Sequence, residues 1–233
     1  MSPAGGPPLV SVIVPVLDEA RALPRLLDHL AALRGDIEVI VVDGGSADAS
    51  RAIVRAHPLG ATLLRAGGGR AGQMNAGAAA AAGEALVFLH ADTRLPPTAH
   101  SSLAAALARG VEGGNFALRF DGGGAFARLL GSWYAVQRRL GVFYGDSAIF
   151  VRADAFRALG GYRPLAIMED YDLARRLSRR RRTACLPGPA VTSSRRWRRL
   201  GVGRTVAAWA AIRWLYLLGV PAERLARLYR PAR

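Results

Sequence analysis

The first half of the chain alternates apolar runs of strand length with segments of helical periodicity. Residues 9–17 and 37–43 are continuous apolar, β-branched runs, which are typical of strands covered on both faces. Between them, leucines recur at helical spacing, and Asp18 is placed to cap a helix that ends near Leu33. The pattern therefore predicts a strand, a helix and a second strand in succession.

The same alternation continues to about residue 110. The predicted elements are, in order, a turn and a helix after Asp43, a strand at 62–64, a helix over GQMNAGAAAAAGE ending at Gly83, a strand at 85–92, and a helix opened by Pro96 and Pro97. Strands that alternate with helices are typical of a parallel, doubly wound sheet. We therefore predict an α/β fold with a mostly parallel, Rossmann-like sheet flanked by helices.

The second half of the chain has a different pattern. The predicted elements are a strand at 113–120, a helix at 126–140, a strand leading into a helix over DSAIFVRADAF, a short helix over EDYDLARRLSRR and an apolar helix at 202–220. Arg204 and Arg213 interrupt the last helix, so we expect it to lie at an interface or in a dimer contact rather than to span a membrane. We predict one domain, with a first half at 9–110, a second half at 111–200 and a helical tail at 201–233.

Charge separates the two halves more sharply than hydrophobicity does. The net charge is +15 with no lysine, and residues 121–233 hold 22 arginines against 7 acids, whereas the first 120 residues are neutral. This asymmetry favours an anionic partner for the second half, with a membrane surface preferred to nucleic acid because no nucleic-acid-binding motif accompanies the arginines. A compositional bias toward arginine is the alternative explanation.

Two further observations concern the cellular compartment. The single cysteine, Cys185, excludes an intramolecular disulfide framework and fits a reducing cytosol. The first residues, MSPAGGPPLV, have neither the basic nor the apolar region of a signal peptide. We expect a cytoplasmic protein, with peripheral attachment at the inner face of a membrane as an option.

Carboxylates follow three of the predicted strands. Asp18 and Glu19 follow the first, Asp43 the second and Asp92 the fourth, and the carboxyl ends of strands in open α/β sheets are where nucleotides and metals bind. Asp92 is placed to bind a divalent cation, Mn²⁺ or Mg²⁺, and His90 is a second candidate ligand. The alternatives are a helix cap for Asp92 and a turn-forming role for Asp43.

A glycine-rich segment precedes the third predicted helix. Residues 67–72, GGGRAG, include Arg70, and Gln73 and Asn75 follow at the start of the helix. Backbone N–H groups at a helix N-terminus, together with an arginine and amide donors, suit a diphosphate. A flexible loop with a helix cap is the alternative.

The second half contributes its own candidate residues. Glu169 and Asp170 begin a short helix, where acids commonly interact with the helix dipole, and beside a diphosphate site one of them would serve as general base. Asp146 is a third candidate acid, which would contact the acceptor, the molecule whose hydroxyl the general base deprotonates. The alternative is that Asp146 is a turn residue before a strand. Three adjacent residues are candidates to supply positive charge and an aromatic surface: Arg195, Arg196 and Trp197. A solvent-exposed basic face is the alternative.

Taken together, these segments resemble family 2 glycosyltransferases of the GT-A fold, from about residue 9 to residue 200. Five segments are similar to motifs of that family. VSVIVPVLDEA is similar to its opening strand, and VVDGGSAD to the segment with its nucleotide-contacting acid. LHADT is similar to its metal-binding DxD motif, MEDYDL to its catalytic ED motif and SSRRW to its QxxRW motif. His90 stands where the first DxD acid is usual, and Ser193 where Gln or Arg is usual. GQMNAGA and LHADT are most similar to a small bacterial subgroup labelled arsenosugar-type glycosyltransferases.

The resemblance implies that residues 9–110 form a nucleotide-sugar-binding half and residues 111–200 an acceptor and catalytic half. It also implies a function for each candidate residue. Nucleotide-sugar contacts are implied for Pro15, Asp18, Glu19, Asp43, Arg70, Gln73, Asn75 and Asp92; metal contacts for Asp92 and His90; catalysis for Asp170 and Glu169; and acceptor or diphosphate contacts for Asp146, Arg196 and Trp197. The expected reaction is inverting, metal-dependent transfer of a sugar from a nucleotide-diphosphate donor, by default a UDP-sugar, to an acceptor hydroxyl. The acceptor stays open, with lipid-linked acceptors among the options. The alternatives are a nucleotidyltransferase and a catalytically silent nucleotide-binding or membrane-recruitment protein.

Overall fold

The structure is a computed structural model that describes residues 9–122 and 124–228. Its strands are β1 (Val10–Val16), β2 (Ile37–Asp43), β3 (Thr62–Arg65), β4 (Ala85–Phe88), β5 (Thr93–Arg94), β6 (Gly113–Phe120), β7 (Ile149–Arg152) and β8 (Thr183–Thr192). Its α-helices are α1 (Leu23–Ala31), α2 (Ser50–Ala56), α3 (Gly69–Ala80), α4 (Ala99–Ala108), α5 (Ala125–Arg139), α6 (Ala153–Ala158), α7 (Glu169–Ser178), α8 (Arg195–Leu200), α9 (Val202–Leu217) and α10 (Ala222–Leu228). A 3₁₀ turn spans Gly145–Ser147.

All the described strands join one sheet in the order β3-β2-β1-β4-β7-β6-β8-β5. The first four strands in that order run parallel. β7 pairs antiparallel with β4 and with β6, and β8 lies parallel to β6. The predicted mostly parallel α/β sheet is therefore confirmed, and its order reverses next to β4, where open sheets form a ligand crevice.

Side chains of β1 alternate between two apolar layers. Val12 and Val14 pack with the leucines of α1 and with α4 on one face of the sheet. Ile13 packs with Met74 of α3 and with Leu173 of α7 on the other face. The continuous apolar run of β1 follows from this burial on both sides, since successive strand residues point to opposite faces.

Three boundaries in the first half differ from the prediction. Asp18 does not cap α1, which begins at Leu23 with a proline in its first turn; Asp18 instead has a left-handed backbone with φ of 56°. α3 begins at Gly69, inside the glycine-rich segment. β4 ends at Phe88 rather than at Asp92, so His90 and Asp92 lie beyond the strand.

The structure contains two strands that the sequence pattern did not predict, β5 at the end of the first half and β8 in the second half. Residues 183–192 pair with β6 along its length, with an irregularity opposite Phe116 and Leu118. The tail is helical as predicted: α9 and α10 pack against α7 through Ile212 and Leu225, which contact Met168 and Tyr171. Among the described residues, no helix is both long and apolar enough to cross a membrane.

Candidate active site

The loops that follow β1 and β2 are joined to each other by hydrogen bonds. The backbone N–H groups of Asp18 and Glu19 donate to the hydroxyls of Ser46 and Ser50 at 3.0 and 2.9 Å, and Asp18 Oδ1 accepts the N–H of Ala47 at 2.8 Å. The left-handed backbone of Asp18 turns its side chain toward the second loop. The two loops therefore form one wall at the carboxyl ends of the parallel strands.

Asp43, at the end of β2, is fully buried and stabilises its own loop. Its two carboxylate oxygens accept the N–H groups of Ser46 and Gly45 at 3.0 and 3.2 Å, and Arg51 Nε lies 3.8 Å away. Burial alone would raise the pKa of Asp43, but these hydrogen bonds and the Arg51 charge outweigh it and lower the pKa. The predicted contact of Asp43 with a nucleotide stays a prediction.

The amide side chains of α3 are both bonded to backbone groups. Gln73 Nε2 donates to the carbonyls of Val16 and Val42 at 2.8 and 2.7 Å, which ties the ends of β1 and β2 together. Asn75 makes two bonds to the backbone of Tyr162, donating to its carbonyl at 2.8 Å and accepting its N–H at 2.9 Å. In the structure these residues brace the site, and their predicted contacts with a donor stay predictions.

Pro15 lies where β1 and β4 separate. Their pairing ends at Ile13 and Phe88, whereas β1 stays paired with β2 through Val16. A proline has no N–H to donate, so it fits a strand position that has lost one neighbour. This separation opens the crevice, by which we mean the space beyond the carboxyl ends of β1, β2 and β4.

His90 and Asp170 meet at the backbone of Gly145. Asp170 Oδ2 accepts the N–H of Gly145 at 2.7 Å. A Cβ atom at Gly145 would lie 2.9 Å from His90 Nε2 and 3.1 Å from Asp170 Oδ2, so a larger residue there would displace one of these side chains. Burial, followed by the positive charges of Arg70 and Arg195, lowers the pKa of His90 to about 3. His90 is thus a neutral imidazole with a lone pair available at neutral pH.

Asp92 and Glu19 share one arginine from the C-terminal half. Arg195 Nη2 lies 3.2 Å from Asp92 Oδ2 and 3.3 Å from Glu19 Oε1. Burial raises the pKa of Asp92, and the charge of Arg195 opposes that rise. Burial in turn lowers the pKa of Arg195, but the two carboxylates outweigh it and raise the pKa. Arg195 therefore bridges the loops after β1 and β4.

Glu169 is buried beneath Arg70 at the start of α7. Arg70 Nη1 lies 3.3 Å from Glu169 Oε1, and only 4% of Glu169 is exposed. Burial and the charge of Asp170 raise the pKa of Glu169, with Arg70 opposing them. Met168, just before the helix, has a left-handed φ of 66°, a strained conformation of the kind that clusters at functional sites.

Asp146 joins the same region from the 3₁₀ turn. Burial, and then the negative charges of Asp170 and Asp92, raise the pKa of Asp146 to about 7, while a hydrogen bond with the Tyr134 side chain opposes the rise. Within residues 9–122 and 124–228, its Oδ1 is buried and has no hydrogen-bond partner. An unpaired buried oxygen of this kind needs a donor or a cation.

Trp197 lies outside the crevice. Its indole is 8% exposed and packs edge-on against Phe120 and Phe126, with ring centroids 4.6 and 5.4 Å apart. In the structure it anchors α8 against β6 and α5, and its predicted contact with an acceptor stays a prediction. The predicted contact of Arg196 concerns a side chain outside the described residues.

Two of the candidate residues have the chemistry of metal ligands. Neutral His90 and Asp92 are neighbours in the crevice, and Asp146 presents an unpaired oxygen close enough to be influenced by the charge of Asp92. No group of three or more potential ligands gathers into a preformed site in the part of the chain that the structure describes. Mg²⁺ and Mn²⁺ are commonly bound by one or two side chains together with substrate phosphates, so the residues fit such an ion.

The prediction from sequence left two contributors to the site unassigned. Arg195 was one of three adjacent candidates, and the motif similarity favoured Arg196, whereas the structure shows Arg195 in contact with Asp92 and Glu19. Tyr134, which hydrogen-bonds Asp146, lies on α5 far from every motif. Its ring lies 5.7 Å from that of Tyr144, which stacks on Tyr171 at 5.5 Å, so tyrosines form a wall on this side.

Comparison with known proteins identifies the family. The model of the family described as "Glycosyl transferase family 2" matches residues 11–160, which is more than half of the chain. The chain belongs to glycosyl transferase family 2. The match covers every strand from β1 to β7 and, with them, the crevice residues from Pro15 to Asp146. The narrower likeness to arsenosugar-type glycosyltransferases stays a prediction.

Relatives within this family share part of the chain. An undecaprenyl-phosphate 4-deoxy-4-formamido-L-arabinose transferase of Pseudomonas fluorescens is 30% identical over 62% of this chain and 46% of its own length. A PGL/p-HBAD biosynthesis glycosyltransferase of Mycobacterium bovis is 39% identical over 38% of this chain and 37% of its own length. The chain spans less than half the length of these two relatives.

Solved structures of glycosyltransferases share the fold. S. aureus TarS in complex with UDP-GlcNAc superposes with a TM-score of 0.64 at 18% identity, covering 80% of this chain and 58% of that one. The mannosyltransferase PcManGT from Pyrobaculum calidifontis, in complex with GDP-Man and Mn²⁺, gives a TM-score of 0.62 at 24% identity, covering 82% and 57%. The predicted glycosyltransferase fold is therefore confirmed for this member of family 2.

Proposed function

We propose that this family 2 glycosyltransferase transfers a sugar, with inversion, from a nucleotide-diphosphate donor to an acceptor hydroxyl. The observation that carries the proposal is the position of Asp170, whose carboxylate is fixed by Gly145 N–H beside His90. An acid held there borders the strand ends where the donor binds in this type of sheet. In this arrangement residues 9–110 bind the donor and residues 111–200 receive the acceptor.

The chain's own residues divide the work between proton removal and charge neutralisation. Asp170 accepts the acceptor's proton as the hydroxyl attacks the anomeric carbon from the face opposite the leaving diphosphate. Arg70, held by buried Glu169, and Arg195, held by Asp92 and Glu19, supply guanidinium groups to the diphosphate. Both arginines lie close enough to His90 for their charges to lower its pKa, so they can act on one anion bound there.

A divalent cation, Mn²⁺ or Mg²⁺, is part of the proposal. His90 and Asp92 would hold it, and when bound it neutralises the charge that develops on the leaving diphosphate. Support comes from the neutral state of His90, from the unpaired oxygen of Asp146 and from the Mn²⁺ named in the PcManGT complex. Asp92 would exchange its contact with Arg195 for this ion.

The donor and the acceptor are proposed by class. We take a UDP-sugar as the donor, supported by the UDP-GlcNAc complex of TarS, with GDP-mannose as the competitor that the PcManGT complex represents. One relative is named for undecaprenyl phosphate, a lipid, and this supports a lipid-linked acceptor. A cytoplasmic enzyme working at the inner face of a membrane would meet such an acceptor.

Calorimetric titration with UDP, GDP and TDP, with and without Mn²⁺, is the first test. We expect metal-dependent binding of one nucleotide, and loss of that binding in Asp92→Ala. If the protein binds none of the three nucleotides under either condition, the proposed function fails. Metal-dependent binding without any turnover of the matching sugar donors would instead favour a recruitment role.

Asp170→Asn tests the catalytic assignment. The variant should bind the nucleotide as wild type does and lose donor turnover about 10²- to 10⁴-fold, the usual contribution of a general base. Turnover is measured as release of nucleotide from UDP-glucose, UDP-GlcNAc and GDP-mannose with water as the acceptor. Asp28→Asn, which changes an exposed acid on α1, is the control and should behave as wild type. Full turnover in Asp170→Asn would remove Asp170 from this role.

A further inference from the structure

The helices α5 and α9 expose an unusual number of large apolar side chains. On α5, Leu129, Trp133, Val136 and Leu140 are 69, 55, 47 and 77% exposed. Their spacing of four, three and four residues places them on one stripe of the helix. Scattered single apolar residues on a surface need no explanation, but a contiguous stripe usually marks an interaction site.

The exposed apolar positions of α9 continue this stripe across a helix–helix contact. Arg213 of α9 donates a hydrogen bond to Gln137 of α5, and this contact marks the seam between the helices. At 3.6 residues per turn, Trp133 and Leu140 lie about 40–60° around α5 from Gln137. Val206 and Leu217, each 40% exposed, lie about 20–40° around α9 from Arg213 on the same count.

In both helices the opposite direction from the seam leads into the core. Leu130 and Tyr134 of α5, and Trp209 of α9, pack with Phe120 and Trp197. The exposed positions therefore lie on the side of the seam that faces away from the core. We call this surface the α5–α9 face; it comprises Leu129, Trp133, Val136, Leu140, Val206, Trp214, Leu217 and Leu218.

The charge around the α5–α9 face is predominantly positive. Residues 122–145 and 173–222 contain no aspartate or glutamate at all, and they hold 3 and 12 arginines. Arg139, at the end of α5, and Arg204, in α9, are exposed beside the apolar positions. Asp121, which pairs with Arg198 at 3.5 Å, is an acid that approaches this region from outside these stretches.

We propose that the α5–α9 face docks on the surface of an anionic lipid bilayer. Tryptophan and leucine side chains partition into the interfacial region of a bilayer, and arginines around them bind anionic headgroups. A second copy of this chain is a poor occupant, because a twofold contact would bring two acid-free, arginine-rich surfaces together. A nucleic acid would pair with the arginines but would leave the apolar stripe in water.

Docking in this way would place the acceptor side of the crevice beside the lipid. α5 carries the α5–α9 face on its outer side and, on its inner side, Tyr134, which hydrogen-bonds Asp146 near Asp170. A lipid-linked hydroxyl would then reach Asp170 without leaving the membrane surface. This consequence rests on the proposed function, whereas the docking itself is measured without turnover.

The test compares the full chain and its variants by co-sedimentation with vesicles. Wild type should bind vesicles that contain phosphatidylglycerol, with an affinity that falls as salt rises, and bind pure phosphatidylcholine at least tenfold more weakly. Trp133→Ser/Leu140→Ser removes apolar contact and should weaken binding at least tenfold. Arg139→Glu/Arg204→Glu should do the same by repulsion.

Arg25→Glu/Arg55→Glu is the matched control, since it makes the same change in net charge on exposed positions of α1 and α2. Its vesicle affinity should stay within about twofold of wild type, because salt screens the field of the bilayer, which therefore acts mainly on charges close to the bilayer surface. All variants should keep the wild-type melting temperature and UDP affinity, which separates failure of docking from failure of the proposed function. Equal binding to both vesicle types, or full binding by Trp133→Ser/Leu140→Ser, would overturn the proposal. Self-association lost in that variant, without vesicle binding, would overturn it in favour of a dimer contact.

Discussion

Replacing Arg195 by glutamine tests whether a metal cation displaces the Arg195 guanidinium from Asp92 when it binds in the crevice. The guanidinium contacts Asp92 and Glu19 at 3.2 and 3.3 Å, so it occupies the carboxylate that is proposed to bind the metal. If a cation must displace Arg195 from Asp92, the variant should bind free Mn²⁺ more tightly than wild type. If Arg195 then holds the diphosphate, the same variant should bind UDP more weakly.

The size of each effect follows from the geometry. Two unit charges 3.2 Å apart attract by ~5 kcal/mol in an effective dielectric of about 20. The side chain of Arg195 is 44% exposed, so solvent screening and the entropy of ordering it reduce the net value to about 1 kcal/mol. We therefore expect about fivefold tighter Mn²⁺ binding. Loss of a guanidinium–phosphate contact should cost about 2 kcal/mol, or about thirtyfold in UDP affinity.

The assay is electron paramagnetic resonance of free Mn²⁺ without nucleotide, followed by calorimetry with UDP at saturating Mn²⁺. Arg198→Gln is the matched control, since it removes the same charge from the same short helix but contacts Asp121 instead. It should leave both affinities within about twofold, because charges at an exposed site are well screened. Unchanged or weaker Mn²⁺ binding in Arg195→Gln would refute the exchange.

Three further predictions concern stability. Burial raises the pKa of Asp146 from 3.8 to about 7. Between those pH values the folded protein binds more protons than the unfolded chain, so its stability falls as the pH rises through them. In urea unfolding, Asp146→Asn should therefore raise the free energy of unfolding by up to ~4 kcal/mol at pH 8 and leave it unchanged at pH 4. Gly114→Ala should fold poorly or lose more than ~3 kcal/mol, since its φ is 154° and a Cβ would lie 1.8 Å from a carbonyl oxygen of β8. Thermal melts check this against Gly203→Ala, which meets nothing within 4 Å. Asn75→Ala should lose about 2 kcal/mol in urea unfolding through two broken backbone contacts; an unchanged midpoint would contradict the bracing role.

The strands that the sequence predicted well are those whose pattern reflects local burial. β1 and β2 are buried on both faces, so an unbroken apolar run was sufficient to find them. β6 was predicted with the bounds that the structure gives it, because GGNFALRF is closed by the DGGG turn. In these cases the nearby sequence and the tertiary contacts favour the same conformation.

β8 could not be predicted, because its conformation depends on a distant partner. Its sequence, TACLPGPAVT, contains two prolines and a glycine, all of which are unfavourable in strands. The pairing with β6 skips Pro187, Gly188 and Pro189, between the pairs Phe116–Leu186 and Leu118–Ala190. The prolines therefore lie in the irregularity, where their missing N–H groups break no pair, and only the structure of β6 reveals this.

For the site, residue type and chain position predicted which residues gather but not what each one does there. Gln73 and Asn75 were expected to donate to a diphosphate, yet the structure uses both amides to hold backbone groups of distant segments. An amide is equally suited to either task, so sequence alone does not distinguish them. The contact of Arg195 with Asp92 and Glu19 likewise comes from the structure, because the sequence offered three adjacent candidates.

The charge balance of the crevice argues for a cationic cofactor independently of the motif similarity. Among the described residues, Glu169 pairs with Arg70, and Glu19 and Asp92 pair with Arg195. Asp146 and Asp170 add two further acids to this region, although the whole chain carries a net charge of +15. Burial is the main cause of the raised pKa values of Asp92, Asp146 and Glu169, and neighbouring negative charge adds to each of them. A diphosphate alone would add to this excess, whereas a diphosphate together with a dication would not. On the proposed function, the arginine-rich surface would attract the anionic donor from solution, and the acids within the crevice would favour its binding together with a metal.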